Sequence, residues 1–329
     1  MQMQKTLNIL LPVLNEQYRL ESGVRTLRAF MIEHNIPCIL TIIDNGSTDH
    51  TQEIALSLAD SGGGTMDYHD FDKSKSRNDG IKVDSSNEAQ HLTNLAQDSR
   101  ISKDAALCDE KTGQSRSFFS RAKSTSQVKS PIAIEYLRLN QKGVGLALQA
   151  GIDHNNSRKY KSAFIGYMDI DLSTNLCHLL EVYESLCAGS AVVVGSRLLQ
   201  DSKVIGRSLK REIISRSLNA IIKATLHTSF SDAMCGFKFY QADIATLLRQ
   251  KCSDDPSWFY CAQMLIQAQA LGIEIEEIPV QWEDDSLGSK VQITNLARIY
   301  LKEIYRLRTL RQAILAHKHS KLLQNNAVK

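Results

Sequence analysis

The sequence of 329 residues has no apolar run near the roughly 20 residues that a membrane-spanning helix requires, so no transmembrane segment is expected. Its first residues, MQMQKTLNILL, lack both the length and the small-residue cleavage site of a secretory signal, and the expectation is a cytosolic location. No Cys-Xaa-Xaa-Cys is present. The seven cysteines (Cys38, Cys108, Cys177, Cys187, Cys235, Cys252, Cys261) are odd in number and stand mostly among apolar residues, which predicts reduced core thiols rather than bridges or zinc ligands. A net charge of +3 is too small to indicate a nucleic-acid partner. With those classes excluded, a chain that is 43% hydrophobic and 23% charged has material for one large soluble domain or two small ones.

The apolar runs alternate with helical periodicity. Residues 6–11 (TLNILL) read as a strand stopped by Pro12, and from Glu16 onward Leu20, Val24, Leu27 and Met31 mark one face of a helix. Residues 38–43 (CILTII) repeat the strand, followed by the polar turn Asp44-Asn45-Gly46-Ser47-Thr48-Asp49 and a helix over 51–59. After 131 come a strand (132–139), the turn Lys142-Gly143-Val144-Gly145, a helix (146–152) and the strand 162–168. A helix (176–186), the strand AVVVG (191–195), a basic amphipathic helix (208–226), a helix near 256–271, a strand (273–282) and a terminal helix from about Thr294 complete the pattern. Such alternation predicts an α/β fold with a mostly parallel sheet and a ligand site at the carboxyl ends of its strands. Residues 61–130 break it. They are rich in Gly and Ser, carry mixed charges, and offer too little apolar surface to offset ordering entropy, so the expectation is a disordered insertion.

The centre of this arrangement is Tyr167-Met168-Asp169-Ile170-Asp171-Leu172-Ser173-Thr174. An Asp-Xaa-Asp spacing is weak by itself, and a second copy, Asp70-Phe71-Asp72, lies in the expected insertion. The first copy alone follows a buried strand, so both carboxylates reach past the strand end toward one point. A hard divalent cation, Mg2+ or Mn2+, is expected there, held by Asp169 and Asp171.

With these residues assembled, the sequence resembles the family-2 inverting glycosyltransferases of GT-A fold, in the branch of dolichyl-phosphate mannose and glucose synthases and their polyprenyl-phosphate relatives. LPVLNE, IIDNGSTD, KGVGLALQAGI, YMDIDLST, VVVGSRLL, SDAMCGFKFY and WEDDSLGSKV occur in that family's order. The resemblance implies a GT-A (Rossmann-like) domain over 1–60 and 131–290, and a basic amphipathic helix and tail over 291–329. It also implies a hexose donor carried on UDP or GDP and a polyprenyl- or dolichyl-phosphate acceptor at the cytosolic face of a membrane.

Residue by residue, it places Pro12, Asn15, Glu16, Asp44, Asn45 and Asp169 at the nucleotide sugar, Asp171 on the metal, and Lys142 and Gly143 near the donor phosphates, the last turn being open to a plain packing role. Arg197, Arg207, Arg211, Lys238 and Lys290 are expected at the acceptor phosphate, and Asp232 at acceptor positioning, so that Asp171, Asp232 and Arg197 form the catalytic set. Two departures stand out. Cys261 and Gln263 occupy positions where close relatives carry Asp and Glu. Loss of a base matters little for a phosphate monoester, already anionic with a second pKa of about 6, but would handicap a hydroxyl acceptor. The other readings are therefore transfer to a soluble saccharide or protein hydroxyl, and a pseudoenzyme that binds a nucleotide sugar. In the terminal helix, Leu296, Ile299, Ile304, Leu307, Leu310 and Ile314, flanked by Arg298, Lys302, Arg306, Arg308 and Arg311, suit either an anionic membrane surface or closure of the core.

Overall fold

The computed structural model describes residues 5–62, 132–283 and 298–309. The segment 61–130, apart from its first two residues, lies outside the described residues, as do Lys290, Leu296, Leu310, Arg311 and Ile314. Four parallel strands open the sheet: β1 (Leu7–Val13), β2 (Cys38–Asp44), β3 (Ala133–Arg138) and β4 (Phe164–Met168). Between and after them run α1 (Leu20–Glu33), α2 (Thr51–Gly62), α3 (Val144–Ser157) and α4 (His178–Ala188). Then follow β5 (Val192–Ser196), β6 (Lys203–Ile205), α5 (Leu209–Leu226), β7 (Phe237–Gln241), α6 (Ala242–Lys251), α7 (Phe259–Ala270), β8 (Ile275–Pro279) and β9 (Gln281–Glu283). A further helix covers 298–309.

The seven-stranded sheet has the order β3-β2-β1-β4-β7-β5-β8, and a two-stranded sheet pairs β6 with β9. Side-chain alternation splits the core into two layers. In β1, Leu7, Ile9, Leu11 and Val13 enter the layer covered by α1, α2 and α4, while Leu10 enters the layer covered by α3, α6 and α7. Strands buried on both faces are continuous apolar runs, which is why they are readable from sequence.

Two features are not readable in this way. β7 runs antiparallel between β4 and β5, pairing Tyr167 with Lys238 and Met168 with Phe237, where the sequence suggests only a turn. The expected strand 273–282 is two strands: β8 extends the main sheet, and after Pro279 the chain leaves it so that β9 pairs with β6. The parallel register brings Val13, Asp44 and the end of β4 to one edge. The reversal of β7 delivers the 232–236 turn to that same edge.

Of the described terminal helix, Tyr300, Ile304 and Leu307 are buried in the core beside Phe259, Tyr260 and Cys261. The apolar stripe therefore closes the core over 298–309. Its opposite face exposes Leu301 and Tyr305 with Arg298, Lys302 and Arg308. Among the described residues no helix is long and apolar enough to cross a membrane.

Candidate active site

At the end of β4, Asp169 is partly buried and Asp171 is exposed. The backbone N–H of Ser173 donates to Asp171 Oδ1 at 3.0 Å, and Leu172 takes a left-handed φ of 54°. For a leucine that conformation costs about 1 kcal/mol or more, so the surrounding structure must impose the turn. Burial, then the charge of Asp171, pushes the Asp169 carboxyl up to about 7, while Arg197 and Lys238 pull it down. Among the described residues no group of three or more His, Cys, Asp or Glu side chains could hold a metal. A pair of carboxylates nevertheless suits Mg2+ or Mn2+, which are commonly bound through one or two carboxylates with substrate phosphates and water completing the shell. The mutual repulsion of Asp169 and Asp171 is what such a cation would relieve.

The first and second loops interlock beside this pair. Asn15, at a left-handed φ of 56°, donates its N–H to Ser47 Oγ (2.9 Å), and its Oδ1 accepts from the Thr48 N–H (2.9 Å). The Glu16 N–H donates to Thr51 Oγ1 at 2.8 Å, and the Asn45 N–H to the Val13 carbonyl at 2.9 Å. Asp49 receives the N–H groups of Thr51 (3.0 Å) and Gln17 (3.3 Å), capping α2. Pro12 does not stop the first strand as expected: it lies within β1 opposite Ile43, and the strand runs on to Val13 before this loop. Asp44 is fully buried, and both its oxygens are engaged, Oδ1 by the Ser47 N–H (2.7 Å) and Oδ2 by the Tyr136 hydroxyl (3.1 Å). Its carboxylate thus builds the loop. Asn45, 2% exposed, has an Oδ1 with no hydrogen-bond partner among the described residues, which leaves an acceptor for a ligand donor at this loop.

The Lys142–Gly145 turn is closely packed on one side. A Cβ on Gly143 would meet the Pro256 carbonyl at 2.5 Å and one on Gly145 the Ser257 carbonyl at 2.7 Å, and the Gly145 N–H donates to Pro256 O at 3.1 Å. The glycines let α3 press on the loop before α7, and Lys142 is exposed.

Across from the carboxylates, Arg197 grips Asp232 side-on: Nε to Oδ2 at 2.8 Å and Nη2 to Oδ1 at 3.1 Å. Asp232 is 0% exposed and also accepts the Met234 N–H at 2.9 Å. Burial opposes its ionisation, but the Arg197 guanidinium outweighs it and holds the carboxyl well below the usual range. Ser196 and Ser231 hydroxyls meet at 2.5 Å, and Glu277 accepts from the Ser231 N–H (2.7 Å), fixing the two turns that carry the pair. On α5, Asn219 Oδ1 accepts the Ala233 N–H (2.8 Å), so the inner face of that helix lies against the Asp232 turn. Ser215, one turn from Arg211 on this face, is 5% exposed, and its Oγ has no partner among the described residues. Its i, i+4 spacing from Arg211 is the available sequence signal. Arg207 pairs with Glu212 at 3.3 Å.

Lys238 requires a correction. It is 0% exposed, its ammonium donates to the Cys235 carbonyl, and it lies 5.8 Å from the Tyr167 ring centroid. It has no surface to offer an acceptor phosphate and instead supplies positive charge beneath Asp169 and Asp232. The two departures at α7 also separate. Cys261, 2% exposed, bonds with Tyr167 and is pushed up to about 11 by burial, whereas Gln263 Oε1 accepts from Ser253 Oγ at 3.0 Å.

No family model matches the chain. It is 36% identical over 118 residues to glycosyltransferase AglD of Haloferax volcanii, a match covering 36% of this chain and 19% of that protein. It is 24% identical over 168 residues to polyprenol monophosphomannose synthase of Mycolicibacterium smegmatis, covering 50% of this chain and 62% of that one. With dolichyl-phosphate β-glucosyltransferase ALG5D of Trichomonas vaginalis it shares 27% over 163 residues, 48% of each. The chain therefore spans less than two thirds of each of these relatives. Among solved structures it superposes on glucosyl-3-phosphoglycerate synthase of Mycobacterium tuberculosis with a TM-score of 0.53 at 14% identity, covering 92% of this chain and 80% of that one. The same enzyme in complex with Mn2+, UDP and glucosyl-3-phosphoglycerate gives 0.51 at 13%, covering 91% and 80%. The central sheet and its flanking helices are those of the GT-A fold.

Proposed function

We propose that this chain, of GT-A fold and a relative of the polyprenol- and dolichyl-phosphate hexosyltransferases, is a metal-dependent inverting glycosyltransferase. It would move one hexose from a UDP- or GDP-sugar to a polyprenyl or dolichyl phosphate at the cytosolic face of a membrane. The observation that carries this reading is the juxtaposition of the Asp169/Asp171 pair with the Arg197–Asp232 turn, with Arg207 and the partly buried Arg211 nearby.

Asp169 and Asp171 would hold Mg2+ or Mn2+, which supplies charge stabilisation to the departing diphosphate. The Asn15 and Asn45 loops form the side on which the nucleoside would lie, with Asn45 Oδ1 as a free acceptor for its base edge. Arg197, held by Asp232, and Arg207 and Arg211 present cationic groups to the acceptor phosphate, with the buried Ser215 hydroxyl beside them. A phosphate oxygen then attacks the anomeric carbon as the bond to the diphosphate oxygen breaks, inverting the centre and releasing the nucleoside diphosphate. No base is required, because the attacking group is already anionic. Ile205, Leu209 and Ile213, exposed at a four-residue spacing next to Arg207 and Arg211, offer apolar surface for an isoprenyl chain and for peripheral contact with the bilayer. The exposed basic face of 298–309 is a second membrane-contacting candidate, and Lys290 is a further cationic candidate by sequence.

Radiolabelled UDP-glucose and GDP-mannose, each with Mn2+ and a polyprenyl phosphate, test the reading. Label should enter the organic phase with the lipid and be lost in Asp171→Ala. Label confined to a water-soluble product would overturn the lipid acceptor, and undiminished transfer by Asp171→Ala would overturn the metal assignment.

A further inference from the structure

The β9 residue Trp282, first residue of the WEDDSLGSKV stretch, touches both halves of the site. Its ring lies 5.4 Å from the Arg197 guanidinium carbon and 5.7 Å from that of Arg207. Its backbone bridges to Thr174, and on either side Glu283 donates its N–H to Ser173 O (2.8 Å) while the Asn175 N–H donates to Gln281 O (3.0 Å). The loop that begins with Asp169 and Asp171 is thus stitched to the strand whose indole lies within cation–π reach of two arginines. Those arginines repel: burial and then Arg197 lower the Arg207 value, with Glu212 opposing. Asp232 fixes one guanidinium and Glu212 the other, and the indole lies near both.

We propose that Trp282 is a positioning residue that sets Arg197 and Arg207 as one anion-binding pair at a fixed distance from the carboxylate loop 169–174. The proposal rests on the proposed function for the identity of the anion, a phosphate monoester. Its physical content is that a π face, not mere bulk, is required between two like charges. An aliphatic side chain of similar size fills the space but gives the guanidinium groups nothing to attract them.

Binding and turnover test it separately. The chain has two tryptophans, so Trp258→Phe leaves Trp282 as the single tryptophan, excited selectively on the long-wavelength side of tyrosine absorption. Titrating that variant with a short-chain isoprenyl monophosphate and, separately, with inorganic phosphate should give a saturable change in emission, weakened about tenfold when Arg207→Gln is added. Tighter binding of the isoprenyl ester would identify the lipid headgroup as the source, and equal binding a general phosphate site. No change with either would overturn the proposal. In turnover, Trp282→Leu should raise the acceptor KM about tenfold while Trp282→Phe stays within about threefold of the native value, with the donor KM little affected in both. Equal effects of Leu and Phe would overturn it. Absence of transfer by the native chain would sink the proposed function and leave the fluorescence titration to decide the role of Trp282.

Discussion

The backbone of Gly236 lies directly beneath the carboxylate of Asp169. A Cβ built at 236 would fall inside the contact distance of Asp169 Oδ2, with Cγ at 2.8 Å and Oδ1 at 3.0 Å. The glycine of the 232–236 turn is therefore part of the carboxylate site. Gly236→Ala should displace Asp169 and lower kcat/KM about a hundredfold, the loss expected from misplacing a reacting group by about an ångström. Because a carboxylate can swing aside more easily than backbone, unfolding free energy should change by less than about 2 kcal/mol. Kinetics alongside denaturant unfolding check both, and unchanged kinetics would show that Asp169 does not need this position.

The raised Asp169 value sets a pH dependence. Its folded pKa of about 7 lies above the unfolded carboxylate value of about 4, so the stability it contributes to the metal-free chain is fully present below about pH 4 and is lost as pH rises through about 7. Metal binding requires the ionised form, and apparent Mn2+ affinity should therefore rise with pH and level off above about 7. Thermal melts with and without Mn2+ read both trends. Lys238→Met removes a cation that lowers the Asp169 value, so it should shift the Mn2+ transition to higher pH and leave the acceptor KM unchanged. A changed acceptor KM with an unmoved transition would restore Lys238 to the acceptor side.

The sequence carries the strands well because each of β1, β2, β4 and β5 is buried on both faces and is a plain apolar run. It carries the carboxylate pair because Asp169 and Asp171 follow such a run. It does not reveal what opposes them. Phe237-Lys238-Phe239-Tyr240 contains a lysine that no strand pattern would bury; its ammonium donates to the Cys235 carbonyl and lies near Asp169, distant in sequence, and Asp232, six residues before it. Asp44 has the look of a ligand, yet its oxygens go to Ser47 and to Tyr136, 92 positions away, a partner that only the β2–β3 register supplies. The amphipathic stripe of the last helix is equally ambiguous, because membrane and core demand the same spacing; Tyr300, Ile304 and Leu307 take the core.

Arg197 and Asp232 form a buried pair whose halves are not equivalent to remove. Arg197→Ala leaves a fully buried carboxylate without its counter-charge and should destabilise the fold by about 3–5 kcal/mol, whereas Arg197→Ala with Asp232→Ala should recover much of the loss. The Asp232 value is lowered in the fold, so its stabilising contribution is present above the unfolded carboxylate range and disappears as pH falls toward the folded value. Denaturant midpoints for the native chain, the single variant and the double variant, taken near neutral pH and again near the acid limit, form the test. A double variant no more stable than Arg197→Ala would mean that the lost packing, not the orphaned charge, sets the cost.

Cys261 and Gln263, at the two positions where the resemblance leads one to expect carboxylates, lie in different surroundings. Cys261 faces Tyr167 and lies near Lys238 and Asp169. Gln263 reaches Ser253, whose hydroxyl also accepts from Arg306 Nη2 at 2.8 Å, so it ties α7 to the helix at 298–309. Gln263→Glu alone should therefore alter stability and leave the rate of transfer unchanged. Cys261→Asp adds a buried negative charge beside Lys238 and Asp169, which should raise the Asp169 value further and move the pH profile upward. If the native chain transfers sugar at about 1 per second or faster, an ordinary enzymatic rate, the thiol is compatible with catalysis and the pseudoenzyme reading is wrong. Transfer by Cys261→Asp and none by the native chain would show the opposite and make the natural protein a nucleotide-sugar-binding relative of the transferases.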